Sequence, residues 1–291
     1  YRMDWLWEQI TTAIHDFLAD VCGGIFISIF DDVNASVGTI ATQVGKTPSA
    51  WDSSIFTMIQ NLSNNVILPI AALIITYVLC YELITAITEK NNMHDVDTFL
   101  FFKYIFKACI AVFLLSHTFE IVVAIFDVGQ WVVNQSAASI SQDTNVDVLS
   151  MYNQFKSGLD AMDIGGLFLL MIEALIVSLA VKAIAILVTV VLVNRMIEIY
   201  LYCSVAPIPF ATMTNREWGG TGTNYLKSLI ALAFQAFFIM VIVGIYAMLV
   251  KGIVDATDLH TTLLKIGAYS VILCMSLFKT SSISKSIFNA H

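Results

Sequence analysis

Hydrophobic positions run almost unbroken from Gly165 to Phe210, and the rest of the chain is organised around this stretch. As a helix it would reach roughly 69 Å, over twice the hydrocarbon thickness of a bilayer. The pattern therefore predicts a crossing from near Gly166 followed by a turn back or a partial crossing. Glu173 and Lys182 lie inside it on opposite faces of a helix, so they do not pair with each other. Charge is expensive in lipid, and each needs a partner on another helix, on another subunit or in water. A structural interhelical pair is one reading; a pore-lining or gating role is the other. Pro207 and Pro209 follow, each without a backbone donor. Broken backbone at membrane depth is found where protein or water satisfies it, so the stretch is expected to line an interface, a cavity or a conduit.

The other apolar runs give the remaining elements. Met3 to Val21 has helical periodicity, with Leu6, Ile10, Ile14, Phe17 and Leu18 on one face and acidic residues elsewhere. Trp5 and Trp7 suit a membrane–water boundary. Ile25 to Phe30 is too short to span, and Asp31 to Ser63 reads as a polar loop with a short helix from Trp51. Val66 to Ala86 is the first span, capped by Asn64 and Asn65, with Pro69 in its first turn. A charged connector carries Lys90, Lys103 and Lys107, and Ile105 to Phe126 is the second span. His117 and Glu120 can touch within it, as a satisfied pair or as a proton relay. Asp127 to Asp163 reads as a long acidic loop, and loops of such length are usually functional or partner-bound. The last spans are Leu226 to Val250 and Leu263 to Phe278. The expected divisions are 1–63, 64–126, 127–163 and 164–291.

Composition fixes the class. The chain is 58% hydrophobic and 12% charged, against about 25% charged for soluble domains. This is an all-α polytopic membrane protein with five full spans, or six if Met196 to Thr212 crosses separately. Counting basic residues on each side favours five spans, with the N-terminus outside and the C-terminus inside, and the acidic loop is outside in both arrangements. The net charge of −8, without a basic run, excludes sequence-specific nucleic-acid binding. The five cysteines are dispersed and show neither a disulfide framework nor metal-ligand spacing.

Two motif fragments fail on inspection. Val44-Gly45-Lys46-Thr47 ends like a phosphate-binding loop, but position 40 is Ile where Gly is required. Asp143, Asn145 and Asp147 open like a calcium loop, but Val148 stands in place of its Gly and Gln154 in place of its closing Glu. The histidines are scattered and no catalytic constellation is present, so neither an enzyme, a cofactor nor a metal site is expected.

The segment IEIYLYCSVAPIPFATMTNREWGGTGTNYLKSLIALAFQAFFIM carries a resemblance. An apolar helix reaches Pro207 and Pro209, then a short loop with Arg216, Glu217 and Trp218, then a helix with Lys and Gln. With two earlier spans and a central outside loop, this order of features resembles the TrbL-like polytopic subunits of conjugative type IV secretion systems, over roughly Val66 to Phe278. The chain lacks a long hydrophilic C-terminal extension and is similar in that to the shorter forms from Gram-positive conjugative elements. The resemblance implies a multi-pass subunit of the bacterial cytoplasmic membrane that forms a homo-oligomeric ring in lipid. It implies stalk or pilus proteins as partners outside and secretion ATPases inside. The candidate interface or conduit residues are Glu173, Lys182, Arg195, Glu198, Pro207, Pro209, Arg216, Glu217 and Trp218. The rival expectation is a secondary transporter or ion channel for a small solute, although the internal repeat common in transporters is missing.

Overall fold

The computed structural model describes residues 2–88, 98–140, 148–215, 218–253 and 258–290. Lys90, His94, Asp143, Asn145, Asp147, Arg216 and Glu217 lie outside the described residues. The described chain is helical, in the order α1 (Arg2–Val44), α2 (Pro48–Trp51), α3 (Ser53–Leu62), a π-helical turn (Ser63–Ile67), α4 (Leu68–Thr88), α5 (Thr98–Ser116), α6 (Thr118–Ile140), α7 (Val148–Asp160), α8 (Ile164–Val205), α9 (Pro207–Thr212), α10 (Gly219–Lys251) and α11 (Leu259–Ile287). Among the described residues five helical segments are long and apolar enough to cross a membrane: Met3–Val44, Ser53–Thr88, Ile164–Val205, Gly219–Lys251 and Leu259–Ile287. A sixth is present if α5 and α6, bent by 66°, form one broken span.

Four expectations are corrected. First, the short apolar run and the polar loop after Gly24 are one helix, because α1 continues to Val44. Leu18, Cys22, Phe26, Ile29, Val33, Ile40 and Val44 are all buried, three to four residues apart or twice that. The interspersed polar residues do not stop the helix; Thr42 Oγ1, for example, donates back to Gly38 O at 2.8 Å. The predicted apolar face nearer the N-terminus is largely exposed, including Leu6, Ile10, Ile14 and Phe17.

Second, Asn64 and Asn65 do not cap the first span. They lie inside the π-helical turn that joins α3 to α4, where Leu68 N–H donates to Ser63 O, five residues back. Pro69 follows at once. Its ring would crowd the carbonyl of Asn65 in a regular α-helix, and a widened turn relieves that crowding.

Third, the second span is not straight. It breaks between Ser116 and Thr118, and His117 does not pair with Glu120: its Nδ1 lies 3.0 Å from Phe113 O and 3.0 Å from Ser116 Oγ. Ser116 Oγ donates to Phe113 O, and Thr118 Oγ1 contacts the carbonyls of Leu114 and Leu115. Consecutive side chains competing for backbone acceptors bend a helix in this way.

Fourth, the long acidic loop is occupied by the end of α6 and by α7.

The helices form two compact units, neither of them a single run of the sequence. One unit comprises Tyr1–Val44, Asn134–Leu192 and Phe238–Lys279; the other comprises Gly45–Val133, Val193–Phe237 and Thr280–His291. In the first, α7 lies against α1. Phe155 is fully buried and stacks on Phe26 and Phe30, with ring centroids 4.6 and 5.8 Å away. Gly23 permits the approach, since a Cβ there would stand 2.8 Å from the ring of Tyr152. In the second, Phe119, Val122 and Phe126 of α6 meet Met196, Ile199, Tyr200 and Cys203 of α8 and Leu229, Leu232 and Ala233 of α10. Ala71 and Ile75 of α4, Ala111 and Leu115 of α5 and Ala211 of α9 make a second cluster there.

Asp258 caps the start of α11, its Oδ1 accepting from Thr261 N–H at 3.0 Å. Hydrogen bonding from Thr261 holds the Asp258 carboxyl below the usual carboxylate range. A depressed folded value means that the cap stabilises above the ordinary Asp range and is lost as pH falls through the lowered one. Amide protection at Thr261, measured against the intrinsic exchange rate at each pH, should therefore fall on acidification, and in Asp258→Ala it should be low throughout, without that acid step.

Candidate functional site

Glu173, Lys182 and Glu198, three charged residues of the long helix α8, each find an oppositely charged partner inside the chain. In the first unit, Glu173 of α8 meets His260 at the start of α11, with Oε2 2.6 Å from Nδ1. On the opposite face of α8, Lys182 approaches Asp32 of α1, Nζ to Oδ2 3.9 Å. That separation is an ion pair without a hydrogen bond, and Asp32 Oδ2 is buried with no hydrogen-bond partner among the described residues. Of the two readings of these charges, the geometry matches interhelical pairing within one protomer. Glu173→Ala should consequently lower thermal stability by roughly 1–3 kcal/mol, the range between exposed and buried pairs. Light scattering of the purified variant should show an unchanged particle mass.

The second unit gathers the remaining sequence candidates around the end of α8. Arg195 is buried, and its Nε lacks a partner among the described residues. Glu198 stands one turn on and accepts from Lys285 Nζ of α11 at 2.9 Å. Two tyrosines that the sequence reading did not single out fix the backbone here. Tyr200 Oη donates to Pro48 O at 2.7 Å, tying α8 to the short α2. Tyr225 Oη donates to Tyr202 O at 2.6 Å, tying α10 to α8. Each gives a buried hydroxyl the partner it would otherwise lack in an apolar setting.

The prolines act as the sequence predicted. Val205 ends α8, and a single residue, Ala206, separates it from α9, in which Pro207 is buried. The missing N–H groups at Pro207 and Pro209 leave the carbonyls of Cys203 and Val205 without their usual helical donors, which sets the break here. Met196 to Val205 belongs to α8, so the stretch is an extension of the long helix rather than a separate crossing. Beyond α9, Trp218 lies against α4, stacked near-parallel on Tyr77 at 5.8 Å and Tyr81 at 6.4 Å between centroids. Gly222 is what lets α10 start so close to α9. A Cβ there would stand 2.5 Å from Pro209 O and 2.1 Å from Met213 Cγ.

The geometry brings Arg195, Glu198, Pro207, Pro209 and Trp218 into one unit and leaves Glu173 and Lys182 in the other. Among the described residues no cluster of three or more His, Cys, Asp or Glu side chains is placed to hold a metal ion. What the arrangement offers is a braced helix break: a long helix, a proline interruption and a returning helix, tied by tyrosines and an ion pair.

Compared with known families, residues 33–207 match the one described as TrbL/VirB6 plasmid conjugal transfer like protein. The match starts inside α1, earlier than the resemblance in sequence, and ends at Pro207. It takes in Glu173, Lys182, Arg195, Glu198 and Pro207, but not Pro209 or Trp218. Neither a curated protein nor a solved structure matches the chain.

Proposed function

The chain belongs to the TrbL/VirB6 plasmid conjugal transfer-like family, and on that footing we propose that it is an integral membrane subunit of a conjugative type IV secretion system. The family match over more than half of the chain carries this reading, and the five membrane-length helices support it. The subunit acts as scaffold or channel wall in the bacterial cytoplasmic membrane, in several copies around a ring. It supports a stalk or pilus on the outer side and meets secretion ATPases on the inner side. It is not itself an enzyme; the energy comes from those partners.

Because Glu173, Lys182 and Glu198 have partners in their own protomer, assembly rests on the exposed apolar faces of the helices rather than on intramembrane charge. Leu175, Ile176, Leu179, Ile186 and Val190 of α8 are examples of such exposed residues. The test is purification in mild detergent, with protein mass from light scattering and identification of what co-purifies. A multiple of the 32.1 kDa chain together with other secretion components is the expected result. A single protomer that moves small solutes into liposomes would replace this reading with the transporter.

A further inference from the structure

A cavity of about 480 Å³ lies between the end of α4 and the start of α5, lined by Leu83, Ala86, Ile87, Phe101 and Tyr104 with Glu82, Lys103 and Lys107. Its walls are mainly apolar. Lys103 and Lys107 are one helical turn apart on α5 and reach the same space. Glu82 pairs with Lys107, so among the described residues that line the cavity the three charged groups leave one net positive charge. Tyr104 Oη donates to Leu79 O at 2.9 Å, which holds the two helices at this spacing. Around the opening the helices present Ile84, Phe99, Phe102 and Phe106 outward, all strongly exposed. Tyr77 and Tyr81 of the same α4 helix stack with Trp218, an aromatic group of the kind that marks a membrane–water boundary.

We propose that this cavity is a binding site for an anionic phospholipid. The phosphate of the headgroup sits at Lys103 and Lys107, and the apolar walls formed by Leu83, Ala86, Ile87 and Phe101 enclose the hydrocarbon next to it. An apolar cavity that carries ammonium groups matches the division of charge within such a lipid. Basic pockets between membrane helices select anionic headgroups on this principle. A neutral or zwitterionic lipid gains the apolar contacts but leaves the net positive charge uncompensated. A free phosphate gains the charge and leaves the apolar walls wet. Lys103 supplies selectivity, while Lys107 is shared with Glu82.

The experiment is native mass spectrometry of the delipidated full chain in mild detergent, titrated in separate arms with dioleoylphosphatidylglycerol, dioleoylphosphatidylcholine and inorganic phosphate. The protein should retain phosphatidylglycerol in preference to phosphatidylcholine and should not retain phosphate. Lys103→Gln leaves the Glu82–Lys107 pair intact and should weaken phosphatidylglycerol binding about fivefold, the effect of one lysine near a lipid surface. Lys46→Gln, which is not part of the cavity lining, should leave binding unchanged. Equal retention of the two lipids, competition by inorganic phosphate, or a Lys103→Gln variant that binds like the unmodified chain would each overturn the proposal. Circular dichroism and elution volume check that the variant is folded, and Lys103→Arg, which keeps the charge, should retain selectivity.

Discussion

Phe155→Ala should cost about 3–5 kcal/mol, the largest single loss expected in the first unit. Phe155 is fully buried, and its ring is the one that both Phe26 and Phe30 of α1 stack upon. Removing it leaves a cavity where α7 crosses α1, lined by two aromatic rings that cannot close over it. The flanking contacts offer limited compensation, because Met151 and Leu159 already lie buried on the same side of α7, one turn either way. Amide exchange across Val148–Asp160 should accelerate by several orders of magnitude, while residues of the second unit, such as Leu229 and Leu232, keep their protection. Uniform loss of protection in both units would show that α7 supports the whole molecule and not only the unit to which it belongs.

Gly222→Ala is the largest expected effect in the second unit, at about 1–3 kcal/mol for overpacking. Met213 can swing aside, since its side chain is flexible. Pro209 O cannot, because it belongs to the backbone of α9 and also accepts from Thr212 Oγ1 at 2.8 Å. The added methyl therefore pushes α10 away from α9 and pulls on the Trp218 stack between them. Gly220 is the control: a Cβ there meets nothing within 4 Å, so Gly220→Ala should be neutral or slightly stabilising through helix propensity. In a variant retaining Trp218 as its sole tryptophan, fluorescence should change with Gly222→Ala and not with Gly220→Ala. Equal behaviour of the two would contradict the close approach as the reason for glycine at this position.

Much of the fold was legible from local pattern. The long apolar stretch predicted α8, the prolines predicted its break, and the last two apolar runs predicted α10 and α11. These signals are local: hydrophobic length and a missing backbone donor act on the residues that carry them. The extension of α1 through Asp31–Val44 was hidden because Asp31, Asp32, Asn34, Ser36, Thr39 and Thr42 read as loop composition. Val33, Ile40 and Val44 nonetheless keep the spacing of a buried helical face, and that periodicity was the signal to follow. The bend at His117 was hidden because neither Pro nor Gly marks it; the three polar residues Ser116, His117 and Thr118 within an apolar run are the mark instead.

The partners of the intramembrane charges were beyond reach of any local reading. Glu173 and His260 are 87 residues apart, and Lys285 is as far from Glu198. Helical geometry told that Glu173 and Lys182 could not satisfy each other. Which helices come to each of them is a property of the packed chain.

Conjugative transfer is the process proposed for this membrane protein, and its direct measure is transfer frequency. An in-frame deletion of its gene from the conjugative element should abolish transfer without slowing donor growth. Supplying the chain in trans should restore it, while supplying the destabilised Gly222→Ala variant should restore it less well than Gly220→Ala. Undiminished transfer from the deletion strain would contradict that role.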